Sequence, residues 1–189
     1  MERILHINSF FLDSALHGKL VRSISECQPV CQTVYCPVPS DGRTECIDFI
    51  LTPGVSLIKS ANHTLFDRRT WVLKALKSVR DARQKTKSCR PDVIHAHTLI
   101  TNGLTAAFLA RKNKVPFIVT VRNTDLNTYL KRSRIFRLVG KVVLQRAQGI
   151  IFLGPSYWKD AFPSIFSRRF LKSIQAKIRI IPNGIDSFW

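Results

Sequence analysis

Residues 92–121 read DVIHAHTLITNGLTAAFLARKNKVPFIVTV, and the hydrophobic pattern changes twice within them. Residues 92–96 form a short apolar strand, 103–113 a helix, and 117–121 a second apolar strand, with short breaks between. Strands joined by a crossover helix are parallel neighbours, so this stretch predicts a βαβ unit. The rhythm continues downstream. A helix is predicted over 129–147, a strand over 149–153, a short helix over 156–162 capped by Ser156, and a last strand over 178–181 closed by the turn Pro182-Asn183-Gly184. Upstream, 3–8 reads as a strand, and 16–26 as a helix with Leu16, Leu20, Val21 and Ile24 on one side. Residues 30–38 read as a second strand closed by Pro37 and Pro39, and 41–55 are turn-rich. Residues 55–58 make a brief strand, and 66–87 a long helix whose inner stripe is Trp71, Leu73, Ala75, Leu76 and Val79. The fold class expected is α/β: a Rossmann-like parallel sheet with helices on both faces, working at the carboxyl ends of its strands.

With 189 residues, 45% of them apolar, the chain suits one globular domain over residues 1–189. No apolar run approaches the ~18 residues of a membrane span, and the start lacks a signal-peptide pattern, so the chain reads as cytoplasmic. Cys27, Cys31, Cys36, Cys46 and Cys89 form no CxxC pair, which argues against a disulfide framework or zinc site and for small buried thiols.

The net charge of +18 is the unusual total, and its excess falls in tracts at 68–90, 129–146 and 159–179. Such blocks attract nucleic-acid phosphates or an anionic membrane leaflet, and they also occur as solvated helix faces. No RRM-type aromatic signature, zinc finger or helix-turn-helix accompanies them, which disfavours a nucleic-acid-binding module. The loop 9–18 lacks GxGxxG, and GxxxxGK[ST] is absent, so dinucleotide and P-loop chemistry lose their main support.

Each late strand runs into polar residues. His95, His97, Thr98, Thr101, Asn102 and Gly103 follow the first, with Gly103 at a helix start where free N–H groups receive anions. Arg122, Asn123, Thr124 and Asp125 follow the second, Ser156 and Tyr157 the third, and Asn183, Gly184 and Asp186 the last. His95 and His97 point the same way on a strand, but no third metal ligand has suitable spacing. Arg122 can neutralise a phosphate or pair with Asp125, and Asp125 can act as a base or cap a helix.

In order, RPDVIHAHTLITNG, VPFIVTVRNTDLN, QGIIFLGPSYWKDAF and KIRIIPNGIDSFW resemble the N-terminal half of family 4 glycosyltransferases, especially bacterial members that build surface polysaccharides. The opening, RILHINSFFLDSALHGKLVRSI and QTVYCPV, is similar to that group's first strand, acceptor loop and second strand. The resemblance implies a GT-B architecture, in which this chain is the acceptor-side half and a C-terminal donor-binding domain is absent. It further implies retaining transfer from a nucleotide-sugar to a saccharide or lipid-linked acceptor, with no metal cofactor.

The same resemblance assigns Asp125 and Arg122 to the catalytic centre, with Arg122 standing where many relatives carry a histidine. It gives Ser9, Asp13, His17, His97, Thr98, Thr101, Gly103 and Asn123 to the acceptor, and Ser156, Asn183 and Gly184 to the interdomain cleft. The family's donor-binding Glu-x7-Glu pattern has no counterpart here, so the chain alone is expected to transfer nothing. Basic helices would touch the inner face of the cell membrane as a peripheral protein. The competing classes are a basic nucleic-acid-binding module and a non-catalytic partner-binding remnant.

Overall fold

The computed structural model describes residues 1–40, 53–64 and 71–183. The turn-rich stretch at 41–52, the predicted helix start at 66–70, the Trp71 side chain, Gly184 and Asp186 lie outside the described residues.

Seven strands form one sheet: β1 (Glu2–Ile7), β2 (Val30–Pro39), β3 (Val55–His63), β4 (Val93–Ala96), β5 (Phe117–Val121), β6 (Gly149–Phe152) and β7 (Ile178–Ile180). Their order is β3-β2-β1-β4-β5-β6-β7, and every neighbouring pair is parallel. The chain starts in the middle, walks out to β3, and returns to the other side of β1. The topological switch point therefore lies between β1 and β4, where open α/β sheets bind ligands at the carboxyl edge.

The helices are α1 (Ala15–Cys27), α2 (Trp71–Lys85), α3 (Thr101–Asn113), α4 (Arg134–Arg146) and α5 (Arg168–Ile174). Strand alternation divides the interior into two layers. Leu5, Ile7, Tyr35, Ile94, Val119, Val121, Ile150 and Phe152 face one side and pack with Ala82 of α2, Ala106 of α3, Val143 of α4 and Phe170 of α5. The opposite side carries Val34, Cys36 and Val38 against Phe11, Leu12 and Val21 of α1. On that side stand the polar residues His6, Gln32 and His95 (His6 and His95 are register partners).

Several sequence expectations need correcting. The helix predicted over 129–147 is two pieces, a π-helical turn Asp125–Leu130 and then α4. Ser133 breaks it by accepting from Phe136 N as the α4 cap, while the Arg137 guanidinium closes the first piece on the Leu130 and Lys131 carbonyls at 2.7 and 2.9 Å. The brief strand at 55–58 extends to His63, and α5, capped by Ser167, stands where only a basic tract was expected. Leu73 and Leu76 do not form an inner stripe. They are 49% and 62% exposed, because α2 turns the small residues Ser78 and Ala82 inward, four residues apart, with Thr86 buried just past its end. Among the described residues the buried thiol is Cys36: Cys27, the last residue of α1, and Cys31 near the start of β2 are exposed, Cys89 is half-buried, and Cys46 lies outside the described residues.

Candidate active site

The carboxyl edge of the sheet carries a cavity of about 630 Å³ between the β1 and β2 tips, the starts of α2 and α3, and the segment leading into α4. Ser9, Asp13 and Thr101 line it, joined by His63, Asn102, Thr105, Thr128 and the rings of Phe10, Tyr129 and Phe136. Hydroxyls beside aromatic faces suit a saccharide, whose ring presents both polar edges and C–H faces.

Asn102 organises this wall. Its Oδ1 accepts from the Ser9 hydroxyl at 2.6 Å, which turns its amide nitrogen the other way. That nitrogen is buried without a hydrogen-bond partner, so a ligand oxygen or ordered water at the wall would satisfy it. Thr98 and Thr101 share a hydroxyl contact of 3.0 Å at the start of α3. Gly103 is not an anion donor. Its N–H is already given to Thr98 O at 2.9 Å, and a Cβ there would meet Val143 Cγ1 at 2.9 Å, so the glycine serves close helix packing.

Beside the cavity, at the switch point, lies a histidine cluster that the sequence reading only half anticipated. His6 and His95 come from adjacent strands and His97 from the β4 tip, and each offers a ring nitrogen within 4.8 Å of the others. His6 is thus the third ligand-type residue that local spacing did not supply. The hydrogen bonds fix its protonation. Gln32 Nε2 donates to Val21 O at 2.8 Å, so Gln32 Oε1 accepts from His6 Nε2 at 2.8 Å. Burial lowers His6 to a pKa of about 4, so its ring is neutral and Nδ1 carries a lone pair. His97 Nε2 must then donate to it across 3.0 Å, leaving the buried His97 Nδ1 as an acceptor without a partner. Desolvation, with neighbouring histidines and Arg122 adding to it, lowers His95 to about 3 and His97 well below its ordinary value. An ion shared by the three rings would have to displace the His6–His97 bond, next to the Arg122 cation.

Arg122 links the β5 tip to this cluster. Its Nε donates to His97 O at 2.9 Å, and Nη2 lies 3.5 Å from His17 Nδ1, which also meets the Asn8 amide at 3.0 Å. Burial first, then the Arg122 charge, lower His17 to about 4. The guanidinium is half-buried and its own pKa is lowered by desolvation. It makes no side-chain pair with Asp125, since the carboxylate accepts the Arg122 backbone N–H at 3.0 Å instead.

Asp125 caps no helix of its own. Its two oxygens take the Leu99 and Ile100 amides at 2.9 and 3.2 Å, binding the β4 tip to the β5 tip, and burial raises it to about 6 against those hydrogen bonds. Asn123 is exposed and accepts from the Asn127 side chain. Ser156 is exposed and makes no side-chain cap to the π-helical turn Tyr157–Ala161, correcting the capping expectation. Asn183 is exposed just past β7. Thr98, Arg122, Ser156 and Asn183 follow β4, β5, β6 and β7, so all four leave the same edge of consecutive parallel strands.

Solved structures share this fold. Sucrose-phosphate synthase from Thermosynechococcus elongatus superposes with a TM-score of 0.73 at 15% identity, over 98% of this chain and 49% of that one. UDP-GlcNAc 2-epimerase from Neisseria meningitidis bound to UDP-GlcNAc gives 0.62 at 12% identity, over 97% and 47%. LpCGTa in complex with UDP gives 0.62 at 10%, over 98% and 55%. The chain thus spans about half the length of these structures. No curated protein matches its sequence. The seven-stranded Rossmann-like layer is the fold of one half of a GT-B enzyme. The sequence model described as Glycosyltransferase Family 4 matches residues 32–187, from β2 through the β7 tip that bounds this edge, and the chain belongs to that family.

Proposed function

We propose that this chain is the acceptor-side domain of a retaining glycosyltransferase. The sugar comes from a nucleotide-sugar, and the acceptor is a saccharide or lipid-linked saccharide of cell-surface polysaccharide synthesis at the inner membrane face. The observation that carries the reading is the cavity at the carboxyl edge, which joins Ser9, Asp13, Thr101 and the unpartnered Asn102 amide to three aromatic rings in a family 4 domain. The cavity holds the acceptor, with its hydroxyls among Ser9, Thr101 and Thr105. Arg122, held against His97 and His17 at the switch point, is a partly dehydrated cation for a donor phosphate, where reduced solvation strengthens its attraction.

Asp125 is a positioning residue in this scheme, setting the Arg122 backbone and the Leu99–Ile100 turn together. Retention follows if the donor phosphate oxygen receives the acceptor proton while the acceptor oxygen attacks the same face. Orientation and electrostatics then supply the catalysis without a metal. Ser156 and Asn183 face a donor-binding half, without which this chain transfers nothing.

Titration calorimetry with a panel of glycosides tests the reading. Wild type should bind at least one of them, and Thr101→Val with Ser9→Ala should weaken that binding about tenfold, the loss of one or two hydrogen bonds. Equal affinity of wild type and variant would remove the cavity from the account.

A further inference from the structure

Three neutral histidines meet at the switch point, and hydrogen bonds do not use all of their ring nitrogens. His6 stands on β1, His95 opposite it on β4, and His97 just past the end of β4. Each offers a ligand atom within 4.8 Å of the other two, and among the described residues this is the one group of three histidine, cysteine or acidic side chains so placed. Two histidines two residues apart on an extended chain point the same way, and a third on the neighbouring strand faces them. The His95 and His97 rings are stacked at 4.3 Å, and the His6 ring lies 5.5 and 5.2 Å from them.

The far nitrogens of two of these rings are pinned from outside. His6 Nε2 gives its hydrogen to Gln32 Oε1 at 2.8 Å, and Gln32 Nε2 is itself held on Val21 O and Ser25 Oγ at 2.8 and 2.6 Å. His95 Nε2 meets Thr120 Oγ1 at 2.9 Å. With Nε2 as the donor in both, the lone pair of each ring is on Nδ1. Outer hydrogen bonds of this kind orient the histidines of metal sites, fixing tautomer and ring angle. On His97 the Nδ1 atom is buried without a partner, so hydrogen bonding leaves the cluster unsatisfied. Desolvation keeps all three rings neutral, which is the form that ligates.

From these contacts we propose that His6, His95 and His97 bind a divalent ion of the zinc class through three imidazole nitrogens. The set holds no carboxylate, which disfavours magnesium and calcium, whereas neutral imidazoles suit zinc, cobalt and nickel. Each ring gives one lone pair and keeps its one hydrogen, so uptake releases no proton from the three. The ion takes the place of the His6–His97 hydrogen bond at 3.0 Å, exchanging it for a bond to each ring. His17 is engaged elsewhere. Asn8 Oδ1 accepts from Phe10 N, so Asn8 Nδ2 donates to His17 Nδ1, and the fourth position falls to water. The Arg122 cation, whose Nε is on His97 O at 2.9 Å, opposes the ion's charge and holds its affinity below that of an isolated site. The ion has no step in the transfer proposed above. It joins β1 to β4 at the switch point, and its binding does not depend on the acceptor reading.

Titration of the full chain, first stripped with EDTA, with Co2+ and then with competing Zn2+ tests the proposal. Four-coordinate Co2+ absorbs strongly in the visible, so wild type should gain that absorption with about one ion per chain and lose it to Zn2+. Zn2+ should also raise the melting temperature, and EDTA should return it. His95→Gln should lose both the absorption and the melting shift. Thr120→Val leaves all three ligands in place and should weaken Co2+ binding about tenfold or more. Arg122→Gln should tighten it, because a repelling charge is gone. Cys27→Ser with Cys31→Ser, which removes two exposed thiols, should bind as wild type. A wild-type chain that shows no Co2+ absorption overturns the proposal. So does binding that His95→Gln retains, that Thr120→Val leaves at full strength, or that the thiol variant loses.

Discussion

Asp125 Oδ2 accepts the backbone N–H of Leu99 at 2.9 Å, a bond between residues from adjacent strand tips that ties the loop after β5 to the loop after β4. The same carboxylate takes the Ile100 and Arg122 amides, so one side chain fixes both the start of α3 and the base of the Arg122 side chain. Asp125→Ala strands these donors, two of them deeply buried, and should cost about 2–4 kcal/mol. Asp125→Asn keeps one accepting oxygen and should cost less. Urea unfolding of the two variants checks the order, and equal losses would show that the clasp is not what the carboxylate contributes.

The neutral histidines make stability depend on pH. Folded pKa values of about 4 for His6 and His17 and about 3 for His95 lie below the ordinary 6.5, so unfolding takes up protons in acid. Their contribution is complete above pH 6.5 and is lost as pH falls towards 4 and then 3, by at most about 1.4 kcal/mol per pH unit for each histidine. Asp125 acts in the opposite direction: its folded pKa of about 6 exceeds the ordinary 3.8, so it offsets roughly one histidine between those values. Unfolding free energies at pH 7.5, 6 and 5 should fall steadily, and His95→Gln should flatten the fall. A level profile would mean that the folded rings titrate normally.

Gly103→Ala should destabilise by about 1–3 kcal/mol, because its Cβ would press on Val143 Cγ1 at 2.9 Å and on the Thr98 carbonyl at 3.3 Å. The contacts lie where α3 packs against α4 and the turn after β4, with little room to yield. A thermal melt equal to wild type would show that α3 can shift outward freely.

Arg122→Gln should weaken binding of inorganic pyrophosphate by about tenfold or more, since a charge-assisted hydrogen bond is roughly twice as strong as a neutral one. Its contacts to His97 O and His17 occupy only part of the guanidinium's five N–H groups. Fluorescence titration measures the change, and undiminished affinity would place the phosphate elsewhere on the edge.

The sheet was legible because its signals are local. Strands such as 117–121 are short apolar runs between breakers, and the observed β5 has the same bounds. Ser9, Asp13 and Thr101 could be placed at the cavity because Ser9 and Asp13 lie in the loop after β1 and Thr101 closes the loop after β4. His6, Gln32 and Asn8 could not. His6 meets His97 across 91 residues, and its setting in Leu5-His6-Ile7 looks like any strand interior. Leu73 and Leu76 misled for another reason, since spacing shows which residues share a helix face but not which face turns inward. Small residues chose the packed side of α2, and nothing in a run of leucines and lysines announces that.

The central claim is that the carboxyl-edge cavity holds a saccharide, and the Asn102 side-chain amide reports on it directly because its NH2 group gives its own nitrogen-15 NMR signals. Titrating the labelled chain with the glycoside that binds in calorimetry should shift those signals together with the Thr101 and Thr105 amides. Shifts confined to the second hollow, at Arg111, Lys114 and Gln148 on the amino-terminal edge, would contradict the account.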